Sequence, residues 1–383
     1  MKRTYLGIAL LMLAAPLKSW ALSLGEGIVL DPNTGDYIIT YTNAVGQLKQ
    51  SRFVPSTKIE PSLYSRFENE RGLIHYRYVL KNGTASKQPL IGLILDPLSS
   101  LQGNVALPQT GQEMLQALQQ QQNNAAKLEQ TLNQINGAVD APAGWSCEVL
   151  PKGEAVQSGF RVPCSFNDLD EKKHNGLQPG KSISGFSFYS MDLPGVEMAQ
   201  LGGFGDMGPG FTDEGPDGEI ADQLDQMVKK DFVPRPAAIP TIAVPNPFDA
   251  AALLGSIQTQ MHTWISMQLL DATFSSQLDR YFQSAISACR LNQAGACKQQ
   301  IETMRAMVKK EQPNTGNGEG ESANNSGDSR HKAARTALID PLAASVLDFD
   351  LQYVMTRMDS GDGEQASTGG SDSAYHSEHR RKK

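Results

Sequence analysis

Cys289 and Cys297 stand eight positions apart in SACRLNQAGAC, and thiols at that spacing can form a metal site, a redox couple or a staple. Zinc would need two more soft ligands, and His262 is the only other His or Cys within about thirty residues. A redox couple more often has the C-x-x-C spacing. The staple needs a chain reversal. A continuous helix rises ~1.5 Å per residue and would hold the pair about 12 Å apart, whereas bridged Cα atoms lie within roughly 7 Å. Asn292 and Gly295 tolerate the positive φ that a reversal uses. The reading is therefore a staple between two helices. The other two cysteines lie in WSCEVL (145–150) and FRVPCSF (160–166), which flank a turn-like PKGEAVQSG. Pairing Cys147 with Cys164 sets Val149 opposite Val162 on one face, a self-consistent strand register. Two disulfides, Cys147–Cys164 and Cys289–Cys297, and no free thiol are expected.

Other spacings that could carry chemistry fail on context. Gly203-Phe204-Gly205-Asp206-Met207-Gly208 spells G-x-G-x-x-G. It follows no clear strand, and Pro209-Gly210 would interrupt the helix that a dinucleotide site requires. GLQPGKS (176–182) is one residue short of a phosphate loop between its glycines. No G-x-S-x-G or H-E-x-x-H occurs. His376 and His379 sit in a polar tail, and His75 alternates with Ile74 and Tyr76 as a strand surface residue would. Two acidic clusters, Asp168-Asp170-Glu171 and Asp213-Glu214-Asp217-Glu219, lack the EF-hand spacing and read as solvated loops. Paired carboxylates for glycan hydrolysis need not be close in sequence, so no catalytic pair can be nominated. No metal ligand or cofactor-binding residue is assigned.

The N-terminus sets the expected compartment. MKRTYLGIALLMLAAPLKSWA has a basic start, an apolar run from Leu6 to Leu17 and small residues at Ser19 and Ala21. It reads as a secretory signal peptide cleaved after Ala21, too short in its apolar run to span a bilayer. Removing Lys2, Arg3 and Lys18 leaves 31 basic against 41 acidic residues, a formal charge of −10. That charge argues against nucleic acid as a partner. Arg380-Arg381-Lys382-Lys383 is the one basic cluster. A periplasmic or secreted protein with no transmembrane segment after signal removal is expected, and paired cysteines suit it.

The elements that must position these residues fall into two patterns. From about 25 to 100 the chain reads as strands, with DYIITY (36–41) after the turn DPNTG, and LIHYRYVL (73–80) followed by Asn82-Gly83. That pair favours a tight hairpin, with PLIGLIL (89–95) as the return strand. A glutamine-rich segment carries a helical stripe through Met114, Leu118, Ala125, Leu128, Leu132 and Ile135. SISGFSFYS (182–190) is a further strand. The fold class expected is an antiparallel β-sandwich with a helical insertion, followed by a small all-α domain. The expected organisation is signal peptide 1–21, sandwich 22–201 with insertion 109–137, a Gly/Pro-rich linker 202–247, and a helical domain 248–358. A short amphipathic segment, 219–230, lies within the linker. The helical domain carries a polar insert, 313–331, expected to be disordered, as is the tail 359–383. Its stripes are Leu254-Ile257-Met261-Trp264-Ile265, Phe274-Leu278-Tyr281-Phe282-Ala285-Ile286-Cys289, Ile301-Met304-Val308 and Leu342-Val346-Leu347-Leu351-Val354-Met355. Asp340-Pro341 reads as the start of the last helix.

The stretch FSSQLDRYFQSAISACRLNQAGACKQQIETMRAMV, followed by ALIDPLAASVLDFDLQYV, resembles the FIMAH-type module at the end of many exported bacterial proteins. The resemblance covers about 270–358 and implies a non-catalytic accessory role. More loosely, the strand-rich region resembles sandwich domains of exported proteins of unknown function. The function expected is an exported, non-catalytic binding or scaffolding protein of the bacterial envelope or exterior, whose partner is a protein or polysaccharide. The alternative is a hydrolase that acts on such a polysaccharide through paired carboxylates.

Overall fold

The computed structural model describes residues 25–43, 45–100, 120, 137–151, 160–167, 175–204, 216, 218–311 and 337–360. The expected signal peptide and polar insert lie outside the described residues. So do nearly all of the helical insertion and of the tail. The chain divides into two compact units: Met1–Thr57 with Gly205–Phe232, and Lys58–Phe204 with Val233–Lys383.

The first unit has three antiparallel strands, β1 (Gly27–Leu30), β2 (Tyr37–Thr42) and β3 (Leu48–Phe53), in that order. Asp31 closes the β1–β2 turn by accepting from Asn33 N–H at 3.0 Å and Thr34 Oγ1 at 2.9 Å. One face of the sheet is apolar by period-2 alternation, with Ile39, Tyr41 and Phe53 buried. It is covered by α1 (Gly218–Lys229), through Ile220 and Leu224. The amphipathic segment is thus a helix, but its partner is the first hairpin, far back in the chain.

The second unit is an antiparallel sandwich followed by helices. Four strands form one sheet, in the order β4 (Pro61–Glu70), β5 (Leu73–Asn82), β11 (Ser182–Ser190), β7 (Val139–Asp140). The other runs β13 (Val233–Ile242), β12 (Leu193–Gly203), β6 (Leu90–Leu98), β10 (Phe160–Phe166), β8 (Trp145–Cys147), with β9 (Leu150–Pro151) also on β10. Tyr76, Tyr78, Leu80 and Phe188 from one sheet and Leu93, Leu95, Val162 and Ile239 from the other share one core.

Two expectations are corrected here. Asn82-Gly83 does not turn a hairpin, because β5 pairs with β4 and β11, while β6 belongs to the other sheet. The pair carries the chain between sheets. Buried Asn82 donates through Nδ2 to Gln88 O at 2.8 Å and Leu177 O at 2.9 Å. A Cβ at Gly83 would lie 2.7 Å from the Glu60 carbonyl oxygen. The hairpin is β4–β5, turned at Arg71 and Gly72, both with positive φ.

The second correction concerns the linker, 202–247. Its residues 233–242 form β13, an edge strand on β12. Pro234, Pro236 and Pro240 occupy alternate positions, so the N–H groups they lack all belong to the edge that faces away from β12. Side-chain hydrogen bonds between the two sheets complete that edge. Ala238 N–H donates to Ser65 Oγ at 3.0 Å, Tyr78 Oη donates to Ala238 O at 2.8 Å, and Arg235 Nε donates to Pro61 O at 2.7 Å.

The helices are α2 (Ala250–Ser266), α3 (Ala272–Arg290), α4 (Ala294–Glu311) and α5 (Pro341–Asp359). Asp249, Asp271 and Asp340 cap the N-termini of α2, α3 and α5, with Pro341 opening α5. The expected stripes are buried, apart from Ile265, which is 37% exposed, and the half-buried Tyr281, Cys289, Leu342 and Met355. Cys289 and Cys297 are bridged with Cα atoms 5.4 Å apart, and Asn292 supplies the positive φ of the reversal. Gly295 lies inside α4 instead. Cys147 and Cys164 are bridged as a directly opposed strand pair, 4.0 Å between Cα atoms. No helix among the described residues is long and apolar enough to cross a membrane. The helical region is continuous with the sandwich, because its buried residues belong to the same core.

Candidate functional site

The outward face of the four-stranded sheet gathers the chemistry. Odd positions of β5 and even positions of β4 point away from the core, since Ile74, Tyr76 and Tyr78 are buried on the other face. The register builds two rows. Glu68, His75 and Tyr189 align across β4, β5 and β11, and Arg66, Arg77, Ser187 and Asp140 align across β4, β5, β11 and β7.

Contacts within these rows are dense. The His75 ring stacks on Tyr189 at 4.1 Å between centroids. His75 Nδ1 lies 3.0 Å from Glu70 Oε1 and 3.2 Å from Arg77 Nε. Arg77 Nη2 donates to Glu70 Oε1 at 2.7 Å and also meets the Glu68 carboxylate. Tyr189 Oη donates to Glu70 Oε2 at 3.1 Å. The hydrogen bond from His75, with that from Tyr189 behind it, holds the Glu70 carboxyl below its ordinary range. The same bond to Glu70 pushes the Tyr189 phenol up. Glu68, Glu70 and His75 each offer an atom within 4.8 Å of the others, close enough to hold a metal ion.

His75 is thus a surface strand residue, as its alternation implied, yet it sits at the centre of a cluster that the sequence did not reveal. Glu68, Glu70, Arg77 and Tyr189 were missed because their convergence depends on which strands pair. The available signal was the even-numbered polar series Arg66-Glu68-Glu70 before Arg71-Gly72, which marks a hairpin with one polar face. Of the acidic clusters, Asp168-Asp170-Glu171 and Asp213-Glu214-Asp217 lie outside the described residues, as do His376 and His379. Glu219 is in the first turn of α1 and accepts from Gln223 Nε2 at 3.1 Å. Of the G-x-G-x-x-G stretch, Gly203 ends β12 and Phe204 follows it, and the rest is outside the described residues. GLQPGKS leads into strand β11 and not into a helix, so it lacks the anion-binding helix terminus of a phosphate loop.

Two further polar groups stand apart. His262 Nε2 meets Asp279 Oδ1 at 2.7 Å, beside Gln258 Nε2, which donates to that oxygen at 2.8 Å. Asp350, on α5, is fully buried, and neither carboxylate oxygen has a hydrogen-bond partner. Burial pushes its carboxyl well above the ordinary range.

Compared with known protein families, curated proteins and solved structures, the chain matches none.

Proposed function

We propose that this is an exported, non-catalytic binding or scaffolding protein of the bacterial envelope or exterior, whose open sheet face meets a protein or polysaccharide there. The signal-like N-terminus and two disulfides support the compartment. The resemblance of 270–358 to a FIMAH-type module agrees with an accessory role. The observation that carries the reading is the state of the converging acids. A glycan hydrolase needs one carboxyl held protonated as general acid. Glu70 is shifted the opposite way, and both Glu68 and Glu70 are bonded to Arg77. Among the described residues, the carboxyl that is pushed up, Asp350, is buried beyond reach of a polymer. Around the cluster, Tyr64 is 55% exposed and Arg66 is exposed, groups that suit contact with an extended partner.

Co-sedimentation of the oxidised protein with purified envelope polysaccharide and with envelope protein fractions tests this. Retention by one of them, weakened by Tyr64→Ala with Arg66→Ala and without release of new reducing ends, supports it. Release of reducing ends that Glu68→Gln or Glu70→Gln abolishes would overturn it in favour of the hydrolase.

A further inference from the structure

Three acceptors converge on the Arg77 guanidinium: the Glu68 carboxylate, Glu70 Oε1 and His75 Nδ1. Two carboxylates and an imidazole nitrogen are also a donor set for a borderline divalent ion. We propose that Glu68, Glu70 and His75 form a binding site for a Zn2+-like divalent cation, in which Arg77 is the cation that a metal ion displaces.

The position of His75 gives the reason. Its Nδ1 faces a carboxylate oxygen at 3.0 Å and an N–H donor at 3.2 Å. One nitrogen cannot donate to the first and accept from the second at once. A hydrogen at Nδ1 serves Glu70 and sets two N–H groups against each other at Arg77, whereas a lone pair there serves Arg77 and sets two lone pairs against each other across the Glu70 contact. A metal ion placed between them serves both lone pairs and needs no hydrogen.

The surroundings fix the ligands in the way that metal sites require. Direct pairing across β4 and β5 sets Glu68 opposite His75. The Tyr189 ring holds the imidazole plane, and its hydroxyl holds Glu70 through Oε2, which leaves Oε1 towards the cluster. Tetrahedral zinc with bonds of about 2.1 Å separates its ligand atoms by about 3.4 Å. Glu70 Oε1 and His75 Nδ1, 3.0 Å apart, already stand near that separation, and the Glu68 carboxylate lies within 4.8 Å of the other ligand atoms, so small side-chain movements complete the set. The glutamates can supply that movement, with side chains 53% and 37% exposed. Arg77, 45% exposed on a long stem, can swing into solvent. Ca2+ and Mg2+ prefer all-oxygen shells and gain little from imidazole. The inference is independent of the binding role above, because the metal would bind whatever the sheet face contacts.

Calorimetric titration of the full oxidised protein with ZnCl2 tests the site. The wild type should bind one ion through it, Arg77→Met should bind about tenfold more tightly because the competing charge is gone, and His75→Phe should lose that ion. CaCl2 should give no signal that depends on His75. Binding to Arg77→Met no tighter than to the wild type, or zinc binding that His75→Phe leaves unchanged, would overturn the proposal. If Arg77→Met does not fold, nitrogen NMR of histidine-labelled wild type decides. ZnCl2 should move the His75 Nδ1 resonance, and an unmoved resonance would sink the site.

Discussion

Asp350 places a carboxyl inside an apolar core, where a charge without a partner costs several kcal/mol. Burial raises its folded pKa above that of the unfolded chain, so protonation favours the folded state. The sign follows directly. Its contribution is complete below the ordinary carboxylate range, and stability is lost as pH rises towards the folded pKa, by up to ~1.4 kcal/mol per pH unit. Asp350→Asn keeps the shape and removes the ionisation. It should therefore melt higher than the wild type at pH 8, with a gap that narrows towards pH 4. A gap independent of pH would show that ionisation at Asp350 does not limit stability. Tyr76 and Tyr78, buried beneath the open face, are pushed up in the same way by desolvation. Both phenols satisfy themselves by donating to backbone carbonyls, Asp192 O at 2.9 Å and Ala238 O at 2.8 Å.

At the scale of elements, β13 has the sharpest physical logic. A strand with three prolines can sit only where the missing donors face outward, and the edge that remains must be closed by something else. Ser65 and Tyr78 close it at Ala238, from two strands of the facing sheet. Ser65→Ala should leave the N–H of buried Ala238 without a partner and cost about 1–2 kcal/mol in urea unfolding, with Tyr78→Phe costing a similar amount through the orphaned carbonyl. An unchanged midpoint in both variants would show that water closes this edge equally well. The helices show the same dependence on small groups. Asp340 accepts from Leu342 N–H at 2.8 Å, and Asp340 N–H in turn donates to Leu269 O at 2.8 Å. One residue thus starts α5 and ties it to the α2–α3 turn.

At the scale of the whole second unit, the core is shared. Phe349 on α5 meets Phe67 on β4 edge-on at 5.1 Å, and α2 hydrogen-bonds to β12 through Gln260 Nε2, 3.3 Å from Val196 O. Sandwich and helices should therefore unfold together. Trp145 reports on the sheets and Trp264 on the helices, both buried. Single-tryptophan variants of the chain from Leu22 onward, which lacks Trp20, built on Trp264→Phe and Trp145→Phe, should give coincident denaturant transitions. Separated transitions would mean that the helices fold as an independent body. The Cys289–Cys297 bridge closes a short loop worth roughly 2–3 kcal/mol. Replacing both cysteines by serine should accordingly lower the transition seen at Trp145 as much as that at Trp264. A shift confined to Trp264 would contradict the shared core.

What the sequence determined by itself was local. The helix stripes between 254 and 355, the Asp340-Pro341 start, the strand 182–190 and both cysteine pairings follow from period, caps and short-range geometry, and the chain forms them as read. Proline spacing at 234, 236 and 240 carried the edge-strand signal, but composition alone made it look like a linker. The tertiary structure decided what each element lies against. Only non-local pairing separates β5 from β6, lays α1 over the first hairpin, and merges the helices with the sandwich core. The candidate site belongs to that second category. Glu68 and His75 are neighbours because two strands pair in one register, and Tyr189 joins them from more than a hundred residues away. A shift of one residue would turn every one of these side chains to the opposite face. Local patterning specifies which residues face outward, and only strand pairing specifies which of them meet.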